Sequence, residues 1–276
     1  MKLNLAISSC PNDTFMFDAL INKKIDTKAY EFELIIGDIE QLNLLAFDNE
    51  SDISKISFHS YFKVMDRYQL LNSGAALGKN CGPLIISKRK IYPDELSDCK
   101  IAIPGVNTTA NLLLQLLFPS VKSKVKYLFS DIEDVVLSNE CDAGLVIHET
   151  RFTFKNRGLK LVSDLGNLWE KKFSLPIPLG GIAIKRGLDS TTKNDINEIL
   201  RSSIEFSLQN PDSALNFMKQ YAQDMDENVM MQHVNLYVNN FSVDIGIEGK
   251  SAINKLKNEY LSINKNQSLQ DLDIFI

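Results

Sequence analysis

Residues 100–147 read KIAIPGVNTTANLLLQLLFPSVKSKVKYLFSDIEDVVLSNECDAGLVI, and the way this stretch alternates decides the fold. A short apolar run at 100–103 ends in the turn Pro104-Gly105, and a segment of helical period follows at 108–117. A second apolar run at 124–129, a second helical segment at 131–138 and a third run at 143–147 complete a self-contained unit. Strands alternating with helices in this way are the signature of an α/β fold with largely parallel sheets.

The same alternation extends outward on both sides. Toward the N-terminus it predicts strands at 2–8, 30–36, 53–57 and 84–87. Between them lie a helix with Pro11 in its first turn, a helix at 39–47 and a short helix at 61–65. Toward the C-terminus it predicts a strand at 159–162, a helix holding Trp169 and an apolar run at 179–184. Beyond Arg186 the pattern is helical only: Ile196, Leu200, Ile204 and Leu208 recur four apart, and Asn210-Pro211 then breaks the helix.

Two apolar strands end in basic residues, Leu84-Ile85-Ile86-Ser87-Lys88-Arg89-Lys90 and Ile182-Ala183-Ile184-Lys185-Arg186. Read as crossings, they place lobe one at 1–88 plus 185–276 and lobe two at 89–184. This is the topology of an α/β, two-lobed periplasmic-binding-protein-like (type II) fold with the ligand cleft between lobes, at the strand C-termini. A single doubly wound sheet with a helical tail is the alternative. Residues 264–276 read as a terminal extension.

Composition narrows the function classes. The 276 residues are 44% hydrophobic and 24% charged, as in a soluble globular chain. Thirty basic against thirty-five acidic residues give a net charge of −5, with no lysine-rich stripe to meet a phosphate backbone, so nucleic acid is not an expected partner. The polar turn Ser8-Ser9-Cys10-Pro11 follows Met1 too closely for a signal peptide, and no segment approaches the ~20 apolar residues that span a bilayer. A cytoplasmic protein without a membrane partner is expected. Cys10, Cys81, Cys99 and Cys141 form no C-x-x-C spacing and read as free, buried thiols.

Common catalytic signatures fail on inspection. Gly74-Ala75-Ala76-Leu77-Gly78-Lys79 is one residue short of a phosphate-binding loop, and Asn80 stands where its hydroxyl belongs. No G-x-G-x-x-G opens a helix, and His148-Glu149 lacks the second histidine of H-E-x-x-H, so neither a nucleotide cofactor nor a metal is expected.

What remains is a set of polar residues at the ends of predicted strands, where α/β folds bind ligands. His148 follows Leu145-Val146-Ile147 directly. A histidine, with an unperturbed pKa of about 6.5, can accept a proton near neutrality, although a structural histidine would read the same. Thr108 and Thr109 open a helix after Pro104-Gly105, where a carboxylate would be favoured, or where threonine simply caps. Cys10-Pro11-Asn12-Asp13-Thr14 makes a similar polar turn. Lys55, Ile56 and Ser57 end a short strand with a cation and a hydroxyl, although a surface lysine beside a cap is the commoner arrangement.

Four blocks occur in order along most of the chain. They are Ser9-Cys10-Pro11-Asn12-Asp13-Thr14-Phe15; Pro104-Gly105 with Thr108-Thr109-Ala110; Ile147-His148-Glu149-Thr150-Arg151-Phe152; and Leu175-Pro176-Ile177-Pro178-Leu179-Gly180-Gly181. Together they resemble the 1,4-dihydroxy-6-naphthoate synthase family. The resemblance implies a late step of the futalosine route to menaquinone, in which cyclic dehypoxanthine futalosine, a small-molecule carboxylate, is cleaved by a lyase without a cofactor. It implies His148 as proton acceptor, and Lys55, Ile56, Ser57, Thr108 and Thr109 as substrate contacts. A homo-oligomer is left open. Chorismate dehydratase, a sibling enzyme of similar fold, and a non-catalytic solute-binding protein for a small carboxylate are the competing readings.

Overall fold

The computed structural model describes residues 1–148, 150–222, 226–264 and 271–276. Glu149 of the third block therefore lies outside the described residues. The chain divides into two compact units, residues 1–78 with 178–276 and residues 79–177.

The first unit opens with β1 (Lys2–Ser8), α1 (Pro11–Ile21), β2 (Glu31–Gly37), α2 (Ile39–Phe47), β3 (Ile53–Ser57), α3 (Phe58–Val64), β4 (Tyr68–Leu70) and β5 (Ala76–Gly78). The second unit then follows with β6 (Leu84–Ser87), β7 (Ile101–Ile103), α4 (Thr109–Leu117), β8 (Lys124–Lys126), α5 (Ile132–Leu137), β9 (Ala143–Val146), α6 (Thr150–Thr153), β10 (Lys160–Asp164) and α7 (Leu165–Phe173). The first unit resumes with β11 (Ile177–Lys185), α8 (Ser190–Gln209), α9 (Leu215–Tyr221), α10 (Glu227–Tyr237), α11 (Asn240–Val243) and α12 (Gly246–Asn264).

Local chemistry explains several boundaries. Pro11 stands at the start of α1, where its missing N–H costs nothing. Asp38 caps α2 by accepting from the N–H groups of Glu40 and Gln41, and the Gln41 side chain accepts in return from the Asp38 N–H. In α8, Ile196, Leu200 and Ile204 are buried in a core with Leu5, Ile7, Phe15 and Phe17. Leu208, expected on the same stripe, is exposed. A spacing of four overshoots the 3.6-residue turn by about 40° each time, so by the third step the side chain has rotated off the buried face.

Each sheet is mixed rather than largely parallel. In the first, ordered β2-β1-β3-β11-β4 with β5 also on β11, β1 runs parallel to β2 and β3, and β11 runs antiparallel to β3 and β4. In the second, ordered β10-β6-β9-β7-β8, β7 runs parallel to β8 and β9, and β6 runs antiparallel to β9 and β10. Strands covered on both faces read as continuous apolar runs whichever way they run, so direction left no trace in the pattern. Of the two strands read as crossings, β6 pairs wholly within the second sheet and β11 within the first.

The C-terminus corrects another expectation. Its described residues are not an extension: Ile274 and Phe275 are buried, and Phe275 bridges Leu70 in parallel at the edge of the first sheet. The Leu70 N–H and the Tyr61 hydroxyl donate to the Ile274 carbonyl at 2.8 and 2.9 Å. Residues 265–270 lie outside those described.

Candidate active site

In the second unit, β9, β7 and β8 are adjacent and parallel, so their C-terminal ends share one sheet edge. Three features follow from these ends: His148 after β9, the turn from Pro104 to Thr108 after β7, and Phe129 after β8. This is where an α/β sheet offers groups to a ligand.

His148 is half-buried and holds a left-handed backbone, with φ at +58°. Such a conformation costs an L-residue about 1–2 kcal/mol, and its persistence requires the surroundings to hold it. The ring of Phe129 meets the imidazole edge-on, with centroids 5.0 Å apart. That contact packs one side of the half-buried residue against the end of β8.

Thr108 is the N-cap of α4. Its hydroxyl accepts from the Asn111 N–H at 3.3 Å and donates to the Gly105 carbonyl at 2.9 Å, and the Asn111 amide donates to the Val106 carbonyl at 2.8 Å. The turn is thus braced from within, and the positive end of the α4 dipole faces the same edge as His148. The capping and anion-favouring readings of Thr108 are both compatible with this arrangement. Thr109 is buried in the first turn of α4.

In the first unit, β1 and β3 are also parallel neighbours. Lys55, on β3, is not a surface lysine: the residue is 6% exposed, and its ammonium lies 2.5 Å from Oδ1 of the fully buried Asp13. Asp13 accepts further from the Ser8 N–H at 3.2 Å, the Ser8 hydroxyl at 2.6 Å and the Asn12 amide at 2.8 Å. The buried carboxylate is therefore surrounded by four donors, which offsets the cost of taking the ion pair out of water. Because the Asn12 amide nitrogen faces Asp13, its oxygen faces His233 of α10, whose Nε2 donates to it at 2.8 Å.

Ser57 at the end of β3 is held by Asn43, which accepts from its N–H at 3.0 Å and donates to its hydroxyl at 3.2 Å. Ile56 is buried and contributes backbone only at its pairing with Gly181. Gly180 lies opposite Ser57, where a Cβ would stand 2.8 Å from the Ile56 carbonyl oxygen. The glycine is thus required for close approach of the backbones.

The structure groups His148 with Thr108 and Thr109 on one strand edge, and it groups Lys55, Ile56 and Ser57 with the Cys10–Thr14 turn on another. Asn43 and His233 carried no sequence signal for these roles, and Asp13 was marked only as part of the polar turn, not as the partner of Lys55. All four cysteines are free and buried, and burial pushes the Cys81 thiol up to about 12. Among the described residues, no helix is long and apolar enough to cross a membrane.

A family model described as menaquinone biosynthesis matches residues 3–260. A 1,4-dihydroxy-6-naphtoate synthase of Thermus thermophilus is 39% identical over 255 residues, 92% of each chain. A crystal structure of a protein from Archaeoglobus fulgidus is 35% identical, with a TM-score of 0.90 over 96% of this chain and 98% of that one. The alkanesulfonate-binding protein of Xanthomonas axonopodis pv. citri, solved with MOPS, shares 10% identity at a TM-score of 0.70, covering 100% of this chain and 96% of its own. At that identity the likeness concerns the fold alone, and the fold is the expected α/β, periplasmic-binding-protein-like one.

Proposed function

The chain belongs to the menaquinone-biosynthesis family, among the 1,4-dihydroxy-6-naphthoate synthases, and on that ground we propose that it is a carbon–carbon lyase acting on cyclic dehypoxanthine futalosine. The products are 1,4-dihydroxy-6-naphthoate and a small sugar-derived fragment. The observation that carries the reading is the position of His148: the one histidine at the shared edge of β9, β7 and β8, half-buried in a left-handed turn, on the edge from which α4 also starts.

In the mechanism we assign, the neutral imidazole of His148 takes a proton from a ribose-derived hydroxyl. The oxygen left behind forms a carbonyl as the adjoining carbon–carbon bond breaks. The released electron pair passes into the ring system, which becomes the aromatic naphthoate. A positioned base of this kind contributes about 10²- to 10⁴-fold in rate. The substrate carboxylate is assigned to the start of α4, at Thr108 and Thr109, where the helix dipole favours negative charge. Lys55, Ile56 and Ser57 are assigned as the substrate contacts of the first unit, with Asp13 and Asn43 fixing the lysine and the serine.

Purified protein mixed separately with cyclic dehypoxanthine futalosine and with chorismate, with products followed by mass spectrometry, tests the substrate. Naphthoate from the first and no turnover of the second is expected. Turnover of chorismate would make the chain a dehydratase instead, and tight binding of a small carboxylate without any turnover would make it a binding protein.

A further inference from the structure

We propose that Arg151 is the positioning residue that holds His148 in its working conformation, an assignment that rests on the reading of His148 as base. The two residues are separated by one turn: the Arg151 N–H donates to the His148 carbonyl at 3.4 Å. The Arg151 side chain is 13% exposed and reaches into the body of the second unit. There Nη1 donates to the Gly82 carbonyl, and Nη2 donates to the Asn80 carbonyl at 2.8 Å and to Asp164 at 3.4 Å.

Those acceptors are themselves fixed. The Asn80 N–H donates to Glu170 of α7 at 2.7 Å, and Asp164 caps α7 by accepting from the Asn167 N–H at 3.0 Å. Gly82 packs so tightly on Gly166 that a Cβ there would stand 2.3 Å from the Gly166 backbone. One planar guanidinium thus spans two carbonyls and a carboxylate that cannot retreat, a geometry for which lysine has no equivalent. On its other side His148 is tied to β9. A left-handed residue between two anchors keeps its conformation only while both hold. Removing the guanidinium lets the turn relax and moves the imidazole off its target.

The test is steady-state kinetics of Arg151→Ala and Arg151→Lys in the proposed lyase reaction. Thermal unfolding and the imidazole C–H resonance of His148, identified by its loss in His148→Ala, are followed alongside. The expected result is a fall in kcat of about 10- to 100-fold in Arg151→Ala with KM within about twofold, and a changed titration of the His148 resonance. Arg151→Lys keeps the charge without the fork and falls between. If the alanine variant does not fold, the lysine variant decides: a kcat reduced severalfold supports the assignment. Unchanged kcat in a folded variant, or a loss confined to KM, overturns it. A fully active His148→Ala would remove the base itself, whereas an inactive His148→Ala beside a fully active Arg151→Ala would remove only the positioning role.

Discussion

The ammonium of Lys55 and the carboxylate of Asp13, 42 positions apart in the chain, meet at 2.5 Å with the Asp13 side chain wholly shielded from solvent and the Lys55 side chain 7% exposed. The pair joins the middle of β3 to the first turn of α1. It makes a rigid polar centre in the first unit rather than a surface contact.

Removing one member alone leaves the other charge buried and uncompensated, which costs about 3–5 kcal/mol, whereas replacing both with apolar groups costs much less. Urea unfolding of Lys55→Met, Asp13→Leu and the double variant measures this. The expected outcome is that the double variant is more stable than Asp13→Leu alone, which leaves the Lys55 ammonium buried without its carboxylate. The Ser8 and Asn12 donors lose their acceptor in both. A double variant as unstable as the sum of the singles would show that the two charges do not act as a pair.

Glu133 gives a pH dependence of definite sign. Burial raises its carboxyl above the ordinary glutamate range, against the opposing hydrogen bond from Arg157, and its Oε1 has no hydrogen-bond partner among the described residues. Between the ordinary and the raised value the folded state binds more protons than the unfolded one, so this group's contribution to stability is lost as pH rises through that window. Glu133→Gln, which cannot ionise, is expected to gain on the wild type between pH 4 and pH 7 in urea midpoints. A constant difference across that range would contradict the raised value.

Cys81 is expected to be chemically inert. With the thiol pushed up to about 12 by burial, the thiolate at pH 8 is about one part in 10⁴, against about a quarter for an ordinary thiol. Peptide mass spectrometry after iodoacetamide at pH 8 should find Cys81 unmodified in folded protein and modified in urea. Modification at equal rates in both would show that the site is open.

Much of the fold was legible because local chemistry marked it. The apolar runs at 2–8, 53–57 and 84–87 became β1, β3 and β6 with the same bounds, and Pro11 opened α1 where expected. β4 and β5 escaped because no helical segment separates them to frame an alternation, whereas the equally short β7 and β8 flank α4. The direction of β6 and β11 escaped because an antiparallel strand buried on both faces reads like a parallel one. At the candidate site, the strand-end placement of His148 and Thr108 was readable, but the left-handed turn at His148 was not, since no glycine or asparagine marks it. The partners of Lys55 and Asn12 lie 42 and 221 residues away, and only the folded chain brings them together.

The most direct measurement is the rate of naphthoate formation from cyclic dehypoxanthine futalosine by wild type and His148→Ala, at equal concentrations of folded protein. If His148 is the base, the variant loses about 10²- to 10⁴-fold in kcat while keeping the wild-type unfolding transition. A His148→Ala variant that turns over at the wild-type rate would contradict that role outright.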